Sequence, residues 1–283
     1  MTAIPLSGVG GAPFGVGAAI SKSLSIFGKG WWKFFILTLI PLSPYYIYEL
    51  ATQPTTLEGI MAQQAQTASY FTGLGLRTTF AIALQSLANV TCLYGAYQIM
   101  RGQDFSIGES LSAGLGRLLP ALGTSLSVVC LFMLSFVLLF VLWRLLPSLG
   151  TSLSAIVLFM IGFVLLFVPG FIVLLMMYVA LPVCVVERLG PFASMSRSRF
   201  LTKGSRWKLL GLTILMYAAI LVLGGIFTGI GWYLAGFMGY RIGAMPVSIL
   251  VYAFFSVLAA VVYHDLRVSK EGVDVETLAG VFD

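Results

Sequence analysis

Charge is what this sequence has least of. Asp, Glu, Lys and Arg supply 9% of its 283 residues and apolar residues 59%, where a soluble domain carries about a quarter charged residues. Such a chain cannot clothe a water-facing surface of ordinary composition, so it reads as an integral membrane protein. Histidine is down to one and cysteine to three. Cys92, Cys130 and Cys184 stand dozens of residues apart, inside or at the end of apolar runs, which excludes metal spacing and a disulfide framework and leaves them as small buried apolar residues. No metal and no cofactor is expected. Sixteen basic residues give a net charge of +6, but spread over so much apolar chain they build no continuous basic face, which argues against nucleic acid as a partner.

Catalytic patterns are missing as well. No G-x-S-x-G elbow occurs, and His264 beside Asp265 is the only histidine next to a carboxylate; a hydrolytic triad needs its members gathered by the fold, not adjacent in sequence. The chain is therefore expected not to be an enzyme. Gly8–Gly17, "GVGGAPFGVG", follows no strand and contains no G-K-[ST], so residues 1–13 read as a flexible N-terminal arm and not as a phosphate loop. The first thirty residues are Gly- and Ser-rich and have no signal-peptide core, so the first membrane helix is expected to serve as its own signal.

What is present is a series of apolar runs. About 20 residues cross a hydrocarbon core roughly 30 Å thick, and six segments qualify: Trp31–Tyr48, Thr79–Met100, Leu122–Leu142, Leu153–Val179, Leu209–Ile230 and Pro246–Tyr263. Pro41 and Pro44 interrupt the first and are expected to kink or end it. With six spans, one side receives Lys22, Lys29, Lys33, Arg101, Arg117, Arg188, Arg197, Arg199, Lys203, Arg206, Lys208, Arg267 and Lys270, and the other only Arg77, Arg144 and Arg241. Lys and Arg are retained on the cytoplasmic side, so both termini are predicted cytoplasmic.

The segments that precede the odd-numbered spans resemble one another. Aligned without gaps from Phe14, Phe105 and Gly190, they bring together Val16, Ile107 and Phe192, then Leu24, Leu115 and Phe200, then Trp31, Leu122 and Trp207. The pattern predicts an all-α membrane domain of three repeats, 14–100, 105–186 and 190–268, followed by a tail, 269–283. Each repeat is an amphipathic interfacial helix and two spanning helices. The third copy, "GPFASMSRSRFLTKGSRWK" (Gly190–Lys208), is the most cationic, with Arg197, Arg199, Lys203, Arg206 and Lys208. Its helix is expected to insert Phe, Met and Leu side chains in the headgroup layer and to turn these cations to anionic lipid or to a partner. Topology alone also accounts for such a cluster.

Glu187, Arg188, His264, Asp265 and Arg267 are expected to form an ion network where the sixth span meets the cytoplasm, with Arg197 or Arg199 as further partners. Inside the second span, Gln85 and Asn89 share a helix face and Gln98 lies nearer the cytoplasmic end; such amides most often make interhelical hydrogen bonds. Pro169 and Gly170 place a kink in the fourth span. Gly225 and Gly229, like Gly239 and Gly243, are spaced for close helix contact. No acidic residue lies deep in a span to relay protons or ions, which disfavours coupled transport.

Leu181–Leu212, "LPVCVVERLGPFASMSRSRFLTKGSRWKLLGL", and the C-terminal "YHDLRVSKEGVD", Tyr263–Asp274, resemble the two best-marked segments of the bacterial glycerophosphoryl diester phosphodiesterase membrane domain family, with His264 at a position where that family would have tyrosine. The resemblance implies a polytopic inner-membrane domain. It does not bring a phosphodiesterase activity, because the hydrolase needs a separate barrel with acidic metal ligands and two histidines. Two functions remain. One is a scaffold or interaction domain of the bacterial inner membrane, with lipid, protein or a second copy of itself as partner. The alternative is a transporter or channel-like protein for a lipid or amphipathic molecule, lined by Gln85, Asn89 and the Pro169 kink.

Overall fold

The computed structural model describes residues 14–52, 59, 67–145, 163 and 170–271, and no strand occurs among them. The helices are α1 (Val16–Thr52), α2 (Thr67–Met100), α3 (Ile107–Gly116), α4 (Leu118–Leu145), α5 (Ala180–Val186), α6 (Pro191–Thr202) and α7 (Arg206–Glu271). Three helices are long and apolar enough to cross a membrane, and the pair α3 and α4, bent by 66°, adds a fourth when taken as one.

The longest helix is a hairpin. Straight, the 66 residues of α7 would reach about 100 Å. The backbone leaves helical geometry at Ala235 (φ −143°) and Gly236 (φ 57°, ψ −141°), the second a conformation that glycine alone adopts freely. Beyond the break the chain runs back along itself, so that Gly231 and Gly239 meet backbone to backbone and a methyl on Gly243 would lie 3.1 Å from the Phe227 carbonyl. Residues 231–245, expected as a loop, are therefore helical on both sides of a two-residue turn. Gly239 and Gly243 do serve close contact, but within the hairpin; Gly225 and Gly229 face open space.

The other boundaries shift for local reasons. Pro41 and Pro44 do not break α1, whose non-helical residue is Gly30. Each proline deprives the carbonyl four residues earlier of its partner, and both carbonyls find another: Leu37 O accepts from Thr91 Oγ1 of α2 at 3.3 Å, and Ile40 O from Ser43 Oγ at 2.9 Å. The fourth predicted span does not end at Val179. Residues 170–176 are helical, Met177, Tyr178 and Val179 form a turn, and α5 carries the chain on to Val186. Gly170 is buried within this helix, whereas Pro169 lies outside the described residues. At the C-terminal end the helix continues past 268 to Glu271.

A short helix, a break and a longer helix recur at each of the three matched segments: residues 16–29 before Gly30, α3 before Arg117, and α6 before the turn at Lys203, Gly204 and Ser205. Leu24, Leu115 and Phe200, which the alignment superposes, are all outward-facing, at 56%, 60% and 53% exposure. The inward faces carry small residues one turn apart, Ala19 and Ser23, Ser110 and Gly114, Ser194 and Ser198, all buried. Small side chains at this spacing let helix backbones approach. This corrects part of the expected face of α6: Phe192 and Phe200 point out, but Met195 and Leu201 turn inward with the serines.

Each of these short helices rests on a helical segment of another part of the chain. In α3, a methyl on Gly114 would collide with Thr91 of α2. In α6, Ser198 Oγ donates to Met176 O at 2.7 Å. The first half of α1 closes the circle, with Phe27 edge-on to Phe254 of the returning arm of α7 at 5.6 Å. The starts of the long helices repeat the scheme. Lys33 donates to Phe105 O at 3.1 Å, Gly123 faces Pro191 so closely that a methyl would lie 2.8 Å from its ring, and Lys208 donates to Phe14 O at 2.8 Å. First engages second, second engages third, and third engages first.

Candidate functional site

The polar chemistry of the described residues gathers where α6 and the first half of α1 meet the end of α7. Glu187, just past α5, accepts from Arg197 Nε at 2.9 Å and from the Tyr263 hydroxyl at 2.9 Å. Arg197 also pairs with Glu271, which accepts from Arg267 at 3.1 Å, and Arg267 donates to the Tyr263 hydroxyl at 3.1 Å. Burial works against the charge of Arg197, but hydrogen bonds and attraction from Glu187 and Glu271 outweigh it and raise its pKa. The loop closes on charge: two arginines face two carboxylates around a buried tyrosine. Tyr263 and Glu271 were not among the residues singled out by sequence. A tyrosine in an apolar run gives no sign of its partners, and Glu271 fell in the segment read as tail.

A second cluster joins the first unit to the third. Asp265 accepts from Lys22 at 2.9 Å, across 243 residues of sequence, and His264 Nδ1 lies 3.3 Å from the same oxygen. The expected partners of Asp265 in the third unit are replaced by Lys22 of the first, because ring closure brings the first helix against the end of α7. His264 is buried among packed helices, and through Asp265 the cluster clasps α1 to the end of α7.

The five cations of Gly190–Lys208 do not act together. Arg197 belongs to the network, and Lys208, though exposed, is tied to Phe14 O. Arg206 is half-buried at the start of α7. Arg199 and Lys203 point outward and make no ion pair among the described residues, as does Arg188 in the turn before α6, held at φ 54°. Phe192, Phe200 and Trp207 are exposed beside them, the aromatic and basic mixture of a membrane interface.

The amides of α2 are engaged. Gln85 Nε2 donates to the Tyr252 hydroxyl at 3.0 Å and Asn89 Oδ1 accepts from Ser256 Oγ at 2.6 Å, both interhelical bonds to the returning arm of α7. Gln98 stays on its own helix, donating to the Tyr94 hydroxyl at 2.9 Å. Cys92 and Thr38 meet at 3.3 Å. Replacing Asn89 with leucine is expected to lower stability by about 0.6–2 kcal/mol, read as a drop in apparent melting temperature of the detergent-solubilised chain, and no more, because Ser256 retains its bond to Tyr252 O.

A cavity of about 500 Å³ lies between the first half of α1 and the two arms of α7, and every residue lining it is apolar. It contains neither Gln85 nor Asn89. Among the described residues no group of His, Cys, Asp and Glu is arranged to hold a metal. No protein-family model, curated protein or solved structure matches the chain.

Proposed function

We propose that the chain is a non-catalytic scaffold or interaction domain of the bacterial inner membrane. It has six spans in three like units and both termini cytoplasmic, and it presents a basic interfacial surface to anionic lipid or to a partner. The resemblance to glycerophosphoryl diester phosphodiesterase membrane domains is part of the same proposal and brings no hydrolysis with it.

The observation that carries this reading is the division of the cations. Arg197 and Lys22 are taken up by carboxylates inside the ring, whereas Arg188, Arg199 and Lys203 stand outside it beside exposed aromatic rings. A surface of that kind has the composition of one that meets phosphate headgroups. The bonding of Gln85 and Asn89 to Tyr252 and Ser256 favours a packed scaffold over the transporter alternative, whose polar route those amides would have lined.

The test is lipid selectivity. The chain is reconstituted in vesicles of equal phosphatidylglycerol and phosphatidylcholine and extracted with its annular lipid, which is then weighed by mass spectrometry. Each outward cation contributes about 1 kcal/mol near an anionic surface, roughly fivefold in local enrichment. Arg199→Gln with Lys203→Gln is therefore expected to reduce phosphatidylglycerol enrichment severalfold, and an unchanged lipid ratio would refute the anionic-lipid role.

A further inference from the structure

The apolar cavity lies at the one junction of the ring that no connecting peptide spans, between the third unit and the first. Its floor is one face of the first half of α1, Ile20, Leu24 and Phe27, and its walls are the two arms of the α7 hairpin, with Leu215, Ala219 and Leu223 on the outgoing arm. Leu24 and Leu223 stand at its rim, each more than half exposed.

Its occupant follows from wall chemistry and shape. No polar side chain lines the groove, so water entering it would find no side-chain hydrogen-bond partner, and ordered water needs two or more. From Leu215 to Phe227 the outgoing arm rises about 18 Å, somewhat more than half of a hydrocarbon core roughly 30 Å thick. The volume of about 500 Å³ falls within the range of about 300–1,000 Å³ typical of ligand sites. A long, narrow, unbranched aliphatic group fits these limits. Beyond the Leu215 end Lys208 lies two helical turns earlier, on the same face of α7, and its ammonium is fixed by Phe14 O.

We propose that this groove is a lipid site that seats one acyl chain of a membrane phospholipid, with the phosphate of its headgroup toward Lys208. The proposal rests on the membrane orientation given above only for the leaflet that supplies the lipid.

The full chain is reconstituted with phosphatidylglycerol or phosphatidylcholine probes carrying the same photoactivatable diazirine in one acyl chain, and the crosslinked peptides are mapped. Labels are expected to concentrate on Leu24, Ala219 and Leu223. Ala219→Trp, which fills the groove from an exposed position, is expected to reduce that labelling at least fivefold, whereas Ala218→Trp, exposed but not lining the groove, leaves it unchanged. Labelling spread evenly onto outward residues such as Leu221 and Leu234 and indifferent to Ala219→Trp would overturn the site. Equal groove labelling by the two probes would support the groove while overturning the preference for anionic lipid. Preferential labelling by phosphatidylglycerol that Lys208→Gln abolishes would support both.

Discussion

Reversing Arg197 to glutamate is expected to lower the stability of the chain by about 3 kcal/mol or more, and the same change two residues later, at Arg199, by less than about 0.5 kcal/mol. The contrast follows from what the two guanidiniums touch. Arg197 lies between Glu187 and Glu271 with 24% of its side chain exposed, and its partners are 14% and 22% exposed. Removing one member of a largely buried ion pair leaves the other charge without its counterion. A glutamate would add a third carboxylate to a cluster in which Arg267 alone remains to balance the two already present. Arg199 faces outward with no ion pair among the described residues, and a surface substitution of that kind changes little. The measurement is the apparent melting temperature of the detergent-solubilised chain, where about 3 kcal/mol corresponds to roughly 6–12 °C for a protein of this size. Equal shifts for the two variants would mean that the network does not hold α6 to the end of α7.

The second large effect belongs to the hairpin. Gly239→Val is expected to cost about 3 kcal/mol or more, because a side chain there would overlap the Gly231 carbonyl and backbone atoms have no rotamer by which to yield. The arms must separate, and the walls of the apolar groove separate with them. Gly225→Ala and Gly229→Ala place a methyl in open space on the same helix and are expected to be neutral or stabilising by up to about 1 kcal/mol, since alanine is the better helix former. Thermal unfolding of the three variants side by side separates the readings. A Gly239→Val protein that melts with the wild type would show that the backbones do not touch.

The membrane character of the chain was legible because hydropathy sums over some twenty residues and tolerates local exceptions. The same averaging hid the hairpin. Residues 231–245 contain four glycines and an arginine, the composition of a loop, yet Gly231, Gly239 and Gly243 are there for backbone contact and only Gly236 makes the turn. The face of α6 was legible only in part, since Met195 and Leu201, apolar like the outward Phe192 and Phe200, pack inward with the serines. Large apolar residues mark the buried side of a helix in water, but against lipid the distinction fades and small residues decide which side packs. Gln85 and Asn89 were legible as interhelical donors and acceptors because amides inside a span have few other uses. The Lys22–Asp265 pair was not, since no local pattern joins residues 243 apart; only the closing of the ring brings them together.

Three segments, each a short helix, a break and a longer helix, contact one another in turn and the last contacts the first, an arrangement that other proteins build as a trimer of separate subunits. Two of the joints are tethered by short connecting peptides, at Arg101–Ser106 and Glu187–Gly190. The third has no tether and holds by side chains: the Lys22 and Asp265 clasp, the Lys208 tie to Phe14 and the Phe27 and Phe254 contact. It is the seam of the molecule. The groove lies along that seam, so the proposed lipid tail would enter it from the bilayer without a helix having to break.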